Sequence, residues 1–173
     1  MIQLYTGDGK GKTTASVGQA IRAAGRGFRV LFTQFMKGND TGEIHILETL
    51  PQVRILRCNR EYGFFHTLSE EDKVSLKAEH NRILDEILSA LKNQECDMVV
   101  LDEITYPVDF GLLDEEKLKA VIRLSKENNR TELVLTGRNP GEYLTEAADY
   151  ISEIRAVRHP FEKGIGSREG IEY

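Results

Sequence analysis

The chain has 173 residues, 28 acidic against 23 basic, and a formal charge of −5. At roughly 150 residues per domain this predicts one domain over residues 1–173, long enough to bury about two-thirds of its unfolded surface without staples. The longest apolar runs fall short of the ~18 residues of a membrane span, the N-terminus shows no signal-peptide pattern, and the acidic balance argues against a nucleic-acid partner. Cys58 and Cys96 lie far apart and form no C-x-x-C pair. That usage fits a reducing cytoplasm and argues against a structural zinc.

The charge is uneven. Residues 1–40 hold six bases and two acids, whereas residues 69–117 hold fourteen acids and five bases. In chain order, Ile2–Thr6 reads as a strand and Lys12–Ala24 as an amphipathic helix ending at Gly25. Arg29–Phe35 and Val53–Cys58 follow as strands, with a short helix over Gly42–Leu50 between them. Ser69 with Asp72 resembles a capping box, opening a long helix with Ile83, Leu84, Ile87, Leu88 and Leu91 on one face. Asp97–Asp102 is the apolar run expected of a central parallel strand. Asp114 is placed to cap a helix that buries Leu118, Val121 and Ile122. Thr131–Thr136 reads as a strand, Glu142–Ala148 as a short helix and Tyr150–Val157 as a last strand. About six strands alternating with helices predict a three-layer α/β fold with a mainly parallel sheet. His159–Tyr173, with three glycines, reads as a frayed end or a working loop.

Between the first strand and first helix stands Thr6-Gly7-Asp8-Gly9-Lys10-Gly11-Lys12-Thr13-Thr14. Glycines let backbone N–H groups turn toward an anion, and the helix adds the positive end of its dipole. In this reading Gly7, Asp8, Gly9, Lys10, Gly11, Lys12, Thr13 and Thr14 cradle phosphates, Lys12 reaches their oxygens, and Thr13 ligates magnesium. The usual G-x-x-x-x-G-K-[ST] pattern needs glycine where this chain has Thr6, so the cradle's shape should differ. The alternative is a plain glycine-rich turn. Leu101-Asp102-Glu103 closes an apolar strand with two acids, at the sheet edge where α/β proteins bind ligands. Hard carboxylate oxygens suit magnesium, or manganese in its place, so Asp102 and Glu103 join Thr13 as candidate metal ligands. Read alone, two acids ending a strand are equally a surface turn.

Together these segments resemble the P-loop type of ATP:corrinoid adenosyltransferase, the cob(I)alamin and cob(I)yrinic acid a,c-diamide adenosyltransferases. The likeness spans nearly the whole chain. Gly7–Thr14 is similar to the family's phosphate loop, glycine departure included. Gln34-Phe35-Met36-Lys37-Gly38, Leu101-Asp102-Glu103-Ile104 and Leu135-Thr136-Gly137-Arg138 look like its three following signatures. His159-Pro160-Phe161, Gly164-Ile165 and Gly170-Ile171-Glu172-Tyr173 resemble its C-terminal one.

The resemblance implies a RecA-like P-loop fold and an unusual use of ATP. Cobalt(I) of a reduced corrinoid attacks the ribose C5′ and the whole triphosphate leaves, in adenosylcobalamin biosynthesis or salvage. Cobalt is then the nucleophile, and the protein must align C5′ and neutralise the departing charge. Lys10 and Lys12 carry the second task, and Arg138 contacts ATP or corrinoid, with a solvated arginine at a strand end as the alternative. Family aromatics that occupy the corrinoid's lower face correspond here to Tyr62-Gly63-Phe64-Phe65-His66. Phe64, Phe65, His66 and His159 are therefore candidate corrinoid contacts, Phe64 with a catalytic part. His66 stands where some relatives have tryptophan, and core packing is the alternative for Phe64 and Phe65. His45 and His80 show no ligand spacing and are expected to face solvent or pack. Some relatives carry an N-terminal extension over the corrinoid; with the first strand at Ile2, the site is expected to be more open or closed by another segment or subunit. The resemblance also implies an electron donor such as a flavoprotein, and a homodimer. Two other readings stand beside it: a P-loop kinase acting on a small acceptor, and a non-catalytic nucleotide-binding module. Product analysis separates them, since adenosyl transfer releases tripolyphosphate and a kinase releases ADP.

Overall fold

The structure is a computed structural model that describes residues 1–63 and 65–173. In chain order the elements are β1 (Ile2–Thr6), α1 (Lys12–Ala24), β2 (Val30–Gln34), α2 (Gly42–Leu47), β3 (Val53–Arg57), α3 (Glu70–Lys92), β4 (Met98–Asp102), α4 (Thr105–Asp109), α5 (Glu115–Asn128), β5 (Glu132–Thr136), α6 (Glu142–Ala147) and β6 (Tyr150–Glu153). Short 3-10 turns cover Phe65–Thr67 and Pro160–Lys163. The six strands pair in the order β3-β2-β4-β5-β1-β6, and every pairing is parallel. The sheet is thus wholly parallel, where a mainly parallel one was expected.

Each central strand is buried on both faces, which is why β2, β4 and β5 each carry three or four consecutive apolar residues. One face packs Leu31, Val99, Leu101, Leu133 and Leu135 with residues of α3 and α5, including Ile83, Ile87, Leu118 and Val121. The other packs Phe32, Val100 and Val134 with Ala20, Ala23 and Ala24 of α1 and Ile44 and Leu47 of α2. Small residues on α1 let that helix sit close over β4 and β5.

Capping follows the sequence. The Ser69 hydroxyl accepts the Asp72 N–H at the start of α3, and the Asp114 carboxylate accepts the Glu116 N–H at the start of α5. Both helices carry acids in their first turn, where the helix dipole favours them. At the opposite sheet edge, Arg29 grips Asp97 through two nitrogens, at 2.8 and 3.0 Å, and so ties the start of β2 to that of β4. Two expectations change. The last strand stops at Glu153, because the chain beyond it turns across the Gly7–Gly11 loop. And α4, a helix too short to show apolar periodicity, follows directly after the two acids.

Candidate active site

Because all strands run the same way, the loop after β1 and the ends of β2, β4 and β5 meet at one edge. The helix beside them starts differently from α3 and α5. At the N-terminus of α1 no side chain caps the backbone and the first turn holds no acid. Its N–H groups, with the dipole behind them, remain directed at whatever anion enters the loop. Lys12 is buried, and its Nζ donates to the carbonyls of Gly7 and Gly9 at 2.8 and 2.9 Å. An ammonium has three N–H groups, so the two bonds that curl the loop leave one for a ligand. Burial holds the Lys12 pKa below the usual lysine range. Lys10 in the loop and Thr14 in the first turn of α1 are exposed, and Gly11, with φ 125, makes the entry into the helix.

The displaced glycine pattern has a steric cause. A Cβ on Gly7, whose φ is 102, would run into the Ile154 carbonyl oxygen, and one on Gly9 would lie 2.7 Å from the Arg155 carbonyl carbon. The segment after β6 therefore presses on the phosphate loop. The Gly9 N–H donates to the Ile154 carbonyl at 2.8 Å, and the Asp8 carboxylate accepts the Ala156 N–H at 3.0 Å. That backbone N–H is the main reason the Asp8 pKa lies below the usual carboxylate range. Asp8 is thus engaged as an anchor for the chain crossing the loop.

Across the edge, Asp102 is fully buried and is the meeting point of four segments. Its Oδ1 accepts the Thr136 hydroxyl at 2.7 Å. Its Oδ2 lies 3.3 Å from each of Thr13 Oγ1, Gln34 Nε2 and Lys37 Nζ. Glu103 adopts a left-handed φ of 58, and its N–H donates to Thr136 Oγ1 at 2.9 Å. Its Oε2 is buried without a hydrogen-bond partner among the described residues. Burial, and next the charge of Asp102, push the Glu103 pKa up, against the pull of Lys37, Lys12 and Arg138. Arg138 is exposed and close enough to act electrostatically on Asp8, Lys12, Glu103 and Tyr106. A hydroxyl, a buried carboxylate and a second carboxylate with an orphaned oxygen form a hard-oxygen donor set that fits a divalent cation such as magnesium.

Phe64 lies outside the described residues. Phe65 stacks on Phe110, just beyond α4, with ring centroids 3.9 Å apart and planes within 6°, and Phe110 in turn lies 5.9 Å from Tyr106. The Lys73 ammonium sits 5.3 Å from the Phe65 ring centroid. His66 is exposed on the same 3-10 turn. His159 caps the tail turn, its Nδ1 accepting the Phe161 N–H at 3.2 Å. The two histidines without ligand spacing part ways. His45 is exposed beside Asp40, whereas His80 is fully buried.

The sequence profile of the ATP:corrinoid adenosyltransferases BtuR/CobO/CobP matches residues 1–173. The chain belongs to that family. It is similar to the corrinoid adenosyltransferase of Escherichia coli (strain K12), at 34% identity over 175 residues that span all of this chain and 85% of that protein. It is similar at 34% over 176 residues to the corrinoid adenosyltransferase CobA of Salmonella typhimurium (strain LT2), with 85% of that protein covered. A corrinoid adenosyltransferase from Sinorhizobium sp is 31% identical over 185 residues, 80% of its length.

As a corrinoid adenosyltransferase, the chain is a transferase that adenosylates corrinoids with ATP on a P-loop-type α/β fold. The family signatures at Gln34–Gly38, Leu101–Ile104 and Leu135–Arg138 acquire a common physical meaning here: all three end on Asp102. Gln34 and Thr136 carry no site signal of their own in the sequence, although both lie inside the family signatures. Phe110 and Tyr106 were also missed, because only folding brings α4 against the Phe65 turn.

Proposed function

We propose that this corrinoid adenosyltransferase binds ATP with its triphosphate on the Gly7–Thr14 loop and transfers the 5′-deoxyadenosyl group to cobalt(I) of a reduced corrinoid, releasing tripolyphosphate. The cobalt lone pair forms the new bond to C5′ as the C5′–O5′ bond breaks, and the electron pair leaves with the triphosphate. The observation that carries this reading is the facing of two half-sites: an uncapped helix N-terminus with Lys12, and the Asp102–Glu103 carboxylates with an orphaned oxygen. Preorganised positive charge at a departing anion is the largest lever a protein has on such a displacement.

In this reading Lys12 and Lys10 neutralise the leaving group, the loop N–H groups fix its position, and Arg138 adds charge beside them. Thr13, Asp102 and Glu103 hold magnesium, or manganese, which when bound supplies Lewis-acid neutralisation of the triphosphate. Thr136 orients Asp102. Phe64, Phe65 and His66 face the corrinoid's lower side, with His159 contacting substrate from the tail. The stacking of Phe65 on Phe110 extends that aromatic surface to α4. Cys58 and Cys96 take no part: burial pushes both thiols up to about 11, so neither is a ready redox group. Electrons for cobalt(I) come, in this reading, from a separate donor such as a flavoprotein. A cytoplasmic site of action fits two free buried cysteines. Among the described residues no helix is long and apolar enough to cross a membrane. A homodimer is the assembly we expect.

Incubation with ATP, magnesium and chemically reduced cobalamin tests the reading. The visible spectrum should acquire the cobalt–carbon product and the phosphate product should be tripolyphosphate; ADP would identify a kinase instead. Phe64→Ala should slow corrinoids that carry a lower ligand more than those without one, and equal losses on both would assign Phe64 to packing.

A further inference from the structure

His80 interrupts the apolar stripe of α3, one turn after Leu76 and one before Ile83 and Leu84, and is fully buried. A buried imidazole is tolerated when both nitrogens are paired, and here each faces a backbone group from a different segment. Nδ1 lies 2.9 Å from the Leu112 carbonyl, which can only accept, so Nδ1 carries the proton. Nε2 is then a bare lone pair and accepts the Met36 N–H at 3.1 Å. The Phe35 ring packs against the imidazole at 5.3 Å between centroids.

Met36 is the hinge of the segment that leaves β2. Its φ of 62 is left-handed, a conformation a methionine holds only where the surroundings impose it. On one side of it, the Phe35 N–H donates to the Asp102 carbonyl at 2.9 Å. On the other side, Lys37 brings its Nζ to 3.3 Å from Asp102 Oδ2. Gly38 follows, packed so tightly on the Arg60 carbonyl that a Cβ there would collide with it. The direction in which Lys37 leaves the strand is thus set by the Met36 turn, and the side chain bonded to that turn is His80.

We propose that His80 is a positioning residue for adenosyl transfer: by accepting the Met36 N–H through Nε2, it sets the turn that presents Lys37 to Asp102. The proposal rests on Asp102 belonging to the triphosphate and metal side of the site, as argued above. His80 touches no substrate in this scheme and acts entirely through the backbone.

Two variants separate this from simple packing. Glutamine places an amide oxygen near the Nε2 position and keeps the acceptor for Met36 while losing the bond to Leu112. Asparagine places its amide near Nδ1 and does the reverse. Initial rates of cobalt–carbon bond formation should remain within about twofold of wild type in His80→Gln and fall about tenfold in kcat in His80→Asn, a size typical of supporting groups one bond removed from a site. In a Lys37→Ala background the His80→Asn change should cost less than about twofold, since the group it positions is gone. Equal kcat for the two variants, rates that simply follow their melting temperatures, or an undiminished loss in the Lys37→Ala background would overturn the proposal. Nitrogen-15 NMR of the wild-type imidazole supplies an independent arm that does not depend on turnover or on a variant folding. It should show the Nδ1–H tautomer at pH 7 with a slowly exchanging Met36 amide, and an Nε2–H ring or a fast Met36 amide refutes the bond. If the wild-type protein formed no cobalt–carbon product, the function would fail while the NMR result still judged the Met36 bond.

Discussion

The Thr136 hydroxyl donates to Asp102 Oδ1 at 2.7 Å while its oxygen accepts the Glu103 N–H at 2.9 Å. One small side chain thus orients the first acid and holds the left-handed turn that aims the second. Thr136→Val keeps the shape and removes both bonds. It should raise the magnesium concentration needed for half-maximal rate by about tenfold, and lower stability by about 1–3 kcal/mol through the unpaired Glu103 N–H. A metal titration alongside urea unfolding measures both, and an unchanged titration would show that Asp102 needs no orienting partner.

Lys12→Ala removes the charge that both curls the loop and faces the phosphates. Adenosyl transfer should fall by at least about 100-fold, with the fold retained by circular dichroism. Near-normal turnover would rule out the leaving-group role.

Glu103→Gln should move activity and stability in opposite directions. The carboxylate is pushed above its usual range by burial and by Asp102, and one oxygen has no hydrogen-bond partner among the described residues. Removing the charge should stabilise the protein at pH 7, and weaken metal dependence about tenfold. Loss of both stability and activity would mark Glu103 as structural.

Gly9→Ala tests the contact between the loop and the chain after β6. The new Cβ meets the Arg155 backbone, which cannot move aside as a side chain could. KM for ATP should rise about tenfold, since small displacements of an anion cradle are costly. An unaltered KM would show that the crossing segment does not shape the cradle.

His80 predicts a pH dependence of stability. Burial, set against the Leu112 carbonyl and the Glu79 charge, lowers its pKa to about 4 from an ordinary 6.5. Between those values the unfolded chain binds the extra proton, so stability rises with pH. The contribution is fully present above about pH 6.5 and is lost as pH falls toward 4, amounting to roughly 3 kcal/mol. Urea unfolding at pH 7, 6 and 5 should show a steeper acid loss in wild type than in His80→Gln. Parallel curves would place the His80 pKa near its ordinary value.

Apart from α4 and the early end of β6, the elements were readable from the sequence, because helix and strand periods and capping side chains are local properties. Ser69 and Asp114 cap where their spacing predicts. The phosphate loop and the Asp102–Glu103 pair were legible for the same reason, as short motifs between elements of known type. His80 had a signal that went unused: a polar residue at a core position of an amphipathic helix. The convergence of Gln34, Lys37, Thr13 and Thr136 on one carboxylate depends on strand order and on the pairing of Gln34 with Asp102, which no local pattern encodes. The uneven charge of −5 likewise pointed only to a basic loop and an acidic stretch. Their shared edge follows from strands that alternate with helices, since parallel strands deliver their C-termini to the same side; only the tertiary structure decided which strands are neighbours there, because strand order is set by packing between segments distant along the chain.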